Sequence, residues 1–375
     1  MVWMMLTLPS DRRSCVQTYH FLPLARKISF PKAYIQLKSK SPDLKSSNGR
    51  EVEGRGEHKG RRTGNRCACV LLGGVQYATG QVLDMAAIAS HMSALNARRA
   101  AANEPPIPFG LDLAHAVGNV PLSLHDWGVD FAAWCSYKYL NSGVRSLLTR
   151  VPNPAQPSPP IPHTCSIPRR ASQAGCLSAI FLHEKHAQDD HLYPRLAGWW
   201  GVPLARRFKM AHGFDGAAGA AAFGVSNVNP LLVACVYSSL KLFRDAGGIL
   251  ALRRKSILLT CYLEQLLRDR GLLTASAEDN EKAPTAGAAS RATLCLLTPV
   301  ATDRRGCQLS LRVIPASGAA GPPLTMRLLE EALREEGVVG DAREPDVVRL
   351  APVPLYNSFT DVRRVVDALE KCLAA

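Results

Sequence analysis

Lys138 lies in the stretch Cys135-Ser136-Tyr137-Lys138-Tyr139-Leu140-Asn141-Ser142-Gly143, just after the apolar run Val129-Asp130-Phe131-Ala132-Ala133-Trp134. An amine just past a buried strand can hold a carbonyl cofactor and carry a proton. Twenty-six positions earlier, Asp112 sits at the end of a second short apolar run, in Gly110-Leu111-Asp112-Leu113-Ala114-His115-Ala116. A strand-end aspartate followed by a strand-end lysine suggests a site for pyridoxal 5'-phosphate (PLP), the lysine taking the carbonyl and the aspartate pairing with the pyridinium nitrogen. Spacing alone does not separate this from a solvated surface lysine.

Both residues need strands that end side by side. Cys69-Val70-Leu71-Leu72 reads as a short strand entering Gly73-Gly74, and Gln76 to Gln81 as a loop. A helical segment with Leu83, Ile88 and Met92 among its apolar positions follows. Asn103 to Pro108 is a Pro-rich turn into the Asp112 strand. A loop and short helix are expected over Ala116 to Leu124, and a further strand over Leu177 to Leu182. Short apolar strands alternating with helices predict βαβ units and a mostly parallel sheet. Two long helices are expected, Leu231 to Phe243 and Leu250 to Arg270. In the second, Ile257, Leu258, Tyr262 and Leu266 should form the apolar face, with Arg253, Arg254 and Lys255 outside. Residues 274–291 are polar and Gly/Ala-rich and read as a surface excursion. A small α/β domain closes the chain. Its strands are expected over Thr293 to Leu297, Gln308 to Val313 and Val347 to Ala351, and its helices over Thr325 to Glu336, ended by Gly337, and Phe359 to Leu373.

The formal net charge is +14. The excess lies in residues 1–70, with fourteen Lys/Arg against five Asp/Glu, and in 144–174, with four Arg and no acid. Residues 38–66 are rich in Ser, Gly, Lys and Arg, which predicts disorder rather than a basic binding face, so nucleic acid is not an expected partner. Residues 12–40 are basic and free of acids, a faint transit-peptide signature interrupted by Pro23 and Pro31. No uncharged apolar run reaches the ~18 residues of a membrane span, so no membrane association is expected. Eleven cysteines include no C-x-x-C, and Cys235, Cys261 and Cys295 lie in apolar stretches. They read as small buried hydrophobes of a reducing compartment, with no metal site expected. Within 144–174, Pro152, Pro154, Pro157, Pro159, Pro160, Pro162 and Pro168 exclude helix and central strand. A stretch this long without structure is foreign to a compact domain. Gly143-Val144-Arg145 and Gln173-Ala174-Gly175 can encode splice donor and acceptor sequences, so read-through of a retained intron is one reading. A poorly ordered surface loop is the other.

Four segments together resemble kynureninase, a fold-type I PLP enzyme of tryptophan catabolism. They are Gly110-Leu-Asp-Leu-Ala-His-Ala-Val-Gly-Asn-Val-Pro121, His125-Asp-Trp-Gly-Val-Asp-Phe131 with Cys135 to Gly143, Leu182-His-Glu-Lys-His-Ala187, and Arg349-Leu-Ala-Pro-Val-Pro-Leu-Tyr-Asn-Ser-Phe359. Arg305-Gly-Cys-Gln-Leu309 and Arg206-Arg-Phe-Lys-Met210 agree with them. The resemblance covers roughly 70–143 and 176–375. It implies a fold-type I, transferase-like α/β architecture with a smaller C-terminal α/β domain. The expected divisions are 1–69 outside the family, 70–250 a partial PLP-binding large domain, and 251–375 the small domain.

It also implies hydrolytic Cβ–Cγ cleavage of L-kynurenine and 3-hydroxy-L-kynurenine, by a cytoplasmic homodimer serving the kynurenine pathway and NAD biosynthesis. Residue by residue, it implies that Lys138 binds PLP and moves a proton at the substrate, and that Asp112 pairs with the ring nitrogen. Tyr137 would contact the phosphate and donate a proton. His115 would lie over the cofactor and substrate. Trp199 and Asn227 would line a PLP site shared across the dimer, and Arg349 would clamp the substrate carboxylate. Gly73 stands where the family has a phosphate-binding serine, and Ala78 where it has the second aromatic of a Phe/Tyr-Tyr-Thr-Gly motif. The family's N-terminal phosphate contacts have no counterpart in residues 1–69, and residues 144–175 break a Gly-rich turn expected after Gly143. These departures leave a second expectation open: a truncated, non-catalytic kynureninase-like chain unable to hold PLP. Each charge-assisted hydrogen bond lost from a phosphate is worth about 1.5–3 kcal/mol.

Overall fold

The structure, a computed structural model, describes residues 67–142, 177–186, 198–209, 212–276, 291–316 and 323–374. The expected disorder of 38–66 and the inserted segment 144–175 lie outside the described residues.

Three short strands run parallel: β1 (Val70–Gly73), β2 (Phe109–Asp112) and β3 (Phe131–Cys135). A fourth, β4 (Ser178–Leu182), pairs antiparallel with β3, giving the order β1-β2-β3-β4. The close fit of β2 to β3 has a local cause. A side chain at Gly110 would lie 2.2 Å from the Phe131 ring of its register partner, so only glycine lets that ring cross the strand. Between β1 and β2 runs α1 (Met85–Ala101), capped by Asp84, whose Oδ1 accepts the Ala87 N–H at 2.9 Å. Met85, Ala89 and Met92 form its buried face.

The short helix expected over Ala116 to Leu124 is instead a series of turns. Gly118 takes φ +80°, which a continuing helix cannot accommodate, and Pro121 follows. A side chain on Gly118 would meet the Tyr139 backbone at 2.9 Å, so this glycine also lets the turn lie directly on the lysine loop.

After the four-residue helix α2 (Leu204–Arg207) come α3 (Pro230–Asp245) and α4 (Gly248–Asp269). Asn229 caps α3, with Pro230 in its first turn. The buried face of α4 is only partly the one expected: Tyr262 and Leu266 pack against the core and Arg254 is exposed, as the pattern places them, but the face is turned toward other residues. Leu252, Arg253, Ser256, Leu259, Thr260, Leu263, Glu264 and Leu267 point inward, and Leu258 is exposed. Hydrophobicity misplaces this face because its charges are satisfied internally. Arg253 Nη2 donates to the Thr302 and Arg305 carbonyls, both at 2.6 Å, and Glu264 accepts from Arg305 at 2.6 Å.

The second sheet has the order β5-β6-β7-β9-β8: β5 (Leu273–Ser276), β6 (Thr293–Leu296), β7 (Leu309–Ile314), β8 (Asp341–Arg343) and β9 (Val347–Leu350). β5 occupies the start of the expected excursion at 274–291, held by parallel pairing with β6. Helices α5 (Met326–Glu335) and α6 (Phe359–Ala374) form where the pattern places them, with Gly337 at φ +77° just beyond α5. Leu259, Leu263 and Leu267 of α4 join Leu294, Leu311, Leu329, Val366 and Leu369 in one core. Among the described residues no helix is long and apolar enough to cross a membrane.

Candidate active site

Strands β1 and β2 end level with each other, and β3 runs on from Ala133 to Cys135 at the same edge. Gly73 pairs with Asp112, and Asp112 with Ala133. Ligand sites in parallel sheets form at this carboxyl edge, where successive loops open outward. Each loop contributes an aromatic or basic group: Tyr77 after β1, His115 after β2, Lys138 and Tyr139 after β3. His115 lies between two tyrosines, its ring centroid 6.4 Å from Tyr77 and 6.2 Å from Tyr139. Burial, reinforced by the positive charges of Lys138, Arg349 and Arg343, lowers its pKa to about 3, so the imidazole is neutral at physiological pH. Its Nδ1 is buried and has no hydrogen-bond partner among the described residues. A satisfied core histidine would not leave this atom unpaired.

Lys138 sits in a closed loop. Ser136 Oγ donates to the Ser142 carbonyl at 2.9 Å, and Ser142 N–H donates to the Ser136 carbonyl at 2.9 Å. Asn141, at φ +53°, makes the return and donates its N–H to the Lys138 carbonyl. The loop is therefore closed by Ser142. Its neighbours are anchored on two sides. Leu140 packs with Phe243 and Leu252, and its carbonyl accepts from Ser239. Tyr139 packs with Cys307 and Val353. Burial raises the Cys307 thiol to about 12 and Tyr139 well above its usual value, so both stay protonated as fixed supports. The Lys138 ammonium lies 5.4 Å from the Tyr137 ring centre. Asp112 Oδ1 accepts the Ala114 N–H at 2.9 Å, which fixes the carboxylate at the strand end.

The second sheet reaches this edge through the loop after β1. Arg349 Nη1 and Gln308 Nε2 both donate to the Tyr77 carbonyl, at 2.6 and 3.0 Å, and Thr298 Oγ1 donates to the Thr79 carbonyl at 2.6 Å. Arg349 does not present an open fork, because its Nη2 is paired with Asp341. Burial lowers the Arg349 pKa. Tyr77, Gln308, Thr298 and Asp341 were not singled out by sequence. The one available signal was an aromatic just past a strand end, in Tyr77-Ala78-Thr79-Gly80.

Trp199 and Asn227 lie elsewhere on the chain. Trp199 is exposed, donates Nε1 to the Arg207 carbonyl at 2.7 Å and meets Phe208 edge-on. With Gly198, Val202, Gly213 and Phe214 it lines an open cleft of about 310 Å³. Asn227 is exposed on the segment before α3. Of the residues named from sequence, Asp112, His115, Tyr137, Lys138 and Arg349 thus form the candidate site on one chain, with Gly73 at its edge. A neutral buried imidazole, a strand-end carboxylate and a loop lysine suit an aromatic, anionic aldehyde cofactor and an amino-acid substrate.

Comparison with known proteins agrees with this geometry. Residues 283–369 match the family model of the kynureninase C-terminal domain. The chain is 40% identical over 310 residues to a kynureninase of Saccharomyces cerevisiae, covering 82% of this chain and 57% of that one. To a kynureninase of Xanthomonas oryzae pv. oryzae it is 42% identical over 312 residues, covering 83% and 58%. It spans a little over half the length of these relatives. Among solved structures, the fold is similar to the cystine C-S lyase C-DES, at a TM-score of 0.53 and 18% identity over 80% of this chain and 60% of that one. A cysteine desulfurase from Thermococcus onnurineus is similar at a TM-score of 0.52 and 13% identity, over 82% and 60%. Strand order, loop residues and these likenesses converge: over about four-fifths of its length, this chain is a homologue of the kynureninases, with the α/β fold shared by PLP-dependent desulfurases and lyases.

Proposed function

We propose that the chain binds PLP at Lys138 and hydrolyses the Cβ–Cγ bond of L-kynurenine or 3-hydroxy-L-kynurenine, releasing anthranilate or 3-hydroxyanthranilate and L-alanine. The observation that carries this reading is the adjacency of Asp112 and Ala133 at the carboxyl edge of β2 and β3, with Lys138 in the closed loop beyond. The identity to kynureninases supports kynurenines as the substrate class.

When bound, PLP would supply an electron sink for charge developing on the amino acid. The chain's own groups do the rest. The Lys138 amine binds the carbonyl and moves a proton at the substrate α-carbon. The Asp112 carboxylate keeps a ring nitrogen protonated. His115, neutral throughout the working range, offers Nδ1 to a ligand without adding charge. Tyr137 would contact the phosphate and donate a proton. Arg349 takes the α-carboxylate. Gly73 offers the phosphate only backbone. Trp199 and Asn227, exposed here, would serve the site of a second copy in a cytoplasmic homodimer.

The test is direct. PLP is added to the purified chain, the mixture is reduced with borohydride, and the peptide carrying Lys138 is weighed. Retention of the cofactor's mass on Lys138, lost in Lys138→Ala, is expected. No label at millimolar PLP would overturn the enzymatic reading and leave a non-catalytic relative.

A further inference from the structure

Among the described residues, Arg349 has one acidic partner. Its side chain is 9% exposed, on a strand whose four residues are all buried. A guanidinium in such a place needs a carboxylate at all times, because a buried unpaired charge is strongly destabilising. That carboxylate belongs to Asp341, the register partner of Arg349 across β8 and β9.

The pair is asymmetric. Asp341 meets Arg349 through Nη2 alone, while Nη1 is committed to the Tyr77 carbonyl. Nε, which shares an edge of the planar fork with Nη2, is buried and has no hydrogen-bond partner among the described residues. The resident carboxylate therefore uses one donor of an edge built to give two. Asp341 also has somewhere to go. Arg343 Nη2 donates to the same Oδ2 at 2.8 Å, and the Asp341 and Arg343 side chains are 39% and 42% exposed. Released from Arg349, Asp341 keeps a cation and meets water.

Resting on the reading of Arg349 as a carboxylate clamp, we infer that Asp341 is a resident counter-ion that holds the Arg349 fork until a ligand carboxylate displaces it onto Arg343. Asp341 then sets the affinity of the clamp. An incoming carboxylate gains Nε and Nη2 together, and the guanidinium is never left bare. A neutral group of the same shape gains nothing, because it cannot replace the charge. Asp341 is thus a specificity residue acting through Arg349, and it selects for anionic ligands.

The full chain is titrated at fixed ionic strength with propionate, with propionamide as the neutral control, and the thermal unfolding midpoint is followed. Asp341→Asn is expected to unfold at a lower temperature without ligand, and to be protected by propionate at concentrations about tenfold lower than wild type needs. Arg343→Gln, a change at a half-exposed residue, should act the opposite way. It removes the fallback partner, tightens Asp341 on Arg349 and raises the propionate requirement. Propionamide should protect none of them. Equal propionate requirements in wild type, Asp341→Asn and Arg343→Gln overturn the inference. If Asp341→Asn does not fold, Arg343→Gln decides alone, and an unchanged or lowered requirement there overturns it. Arg349→Gln separates the two layers. Protection that survives it places the anion elsewhere and overturns the clamp reading itself. Protection lost in Arg349→Gln but unchanged in the other two variants leaves the clamp standing without the counter-ion role.

Discussion

The two sheets differ in how completely they are covered. In the second sheet, β6 and β9 are buried at every position, and α4, α5 and α6 enclose a continuous leucine-rich core. In the first sheet burial fades from β2 to β4, where Ile180 is 45% exposed. The long apolar residues of the segment before α3 and of α3 itself, such as Val225, Leu231 and Tyr237, are exposed as well. The candidate site lies on the less enclosed sheet, and the well-packed sheet holds its loop after β1 in place. The charge-paired interior of α4 is part of that support. Arg253 and Arg305 fix the residues around 302–306, and Gly306 N–H in turn bonds the Gly80 carbonyl of the Tyr77 loop.

The largest test of this contrast is Glu264→Ala. It leaves Arg305, 1% exposed, without its carboxylate, and should cost about 3–5 kcal/mol in urea unfolding. A loss under about 1 kcal/mol would show that the α4 charges do not support the second sheet. Next in size, Leu311→Ala removes a fully buried side chain of β7 and should cost about 2–5 kcal/mol. Ile180→Ala on β4 should stay within about 0.5 kcal/mol, as for surface substitutions. Equal losses at the two positions would erase the distinction between the sheets.

A smaller effect separates the site histidine from a surface one by its sign. His115 has its folded pKa held at about 3, below the ~6.5 of an unfolded chain. Its contribution to stability is complete above about pH 6.5 and is lost as pH falls toward 3. The slope is at most about 1.4 kcal/mol per pH unit. His125 is the reverse. Hydrogen bonds to Glu184 and Asp126 raise its pKa, so what it contributes is present below about pH 6.5 and is lost as pH rises through its raised value. His115→Gln should flatten the acid limb of the stability profile, and His125→Gln should leave that limb in place. An acid limb unchanged by His115→Gln would mean that the imidazole is not buried neutral.

Much of this was legible in the chain, for identifiable reasons. Strand ends were readable because apolar runs stop at Gly73, Asp112 and Cys135, and the α5 cap because Gly337 follows a strongly patterned helix. The inward face of α4 was not, because Arg253 and Glu264 read as solvated until Arg305 and the Thr302 carbonyl are brought to them by the fold. The short helix after Ala116 failed on Gly118, whose left-handed turn serves a contact with Tyr139 that no local pattern encodes. Lys138, Asp112 and His115 could be named because their motifs are local. Asp341 and Gln308 could not, because they reach Arg349 and the Tyr77 loop only through sheet register and docking.

The smallest expected effect concerns the insertion beside the lysine loop. The chain on its two sides meets at one residue. Ser136 Oγ donates to the Ser142 carbonyl and accepts the Leu177 N–H at 3.2 Å, while Ser136 N–H donates to the Leu177 carbonyl at 2.9 Å. Ser142 and Leu177 are thus already close enough for a short connection. Deleting residues 144–174 joins Gly143 to Gly175, two glycines able to adopt whatever turn the bridge requires. Each halving of a flexible loop returns only about 0.6 kcal/mol of closure entropy, so the unfolding midpoint should hold or rise slightly. Lys138 should keep its PLP labelling, because its loop closes at Ser142 without the insertion. Collapse of the deletion variant, at a site whose ends already touch, would make residues 144–174 part of the fold and remove the ground for reading them as foreign to it.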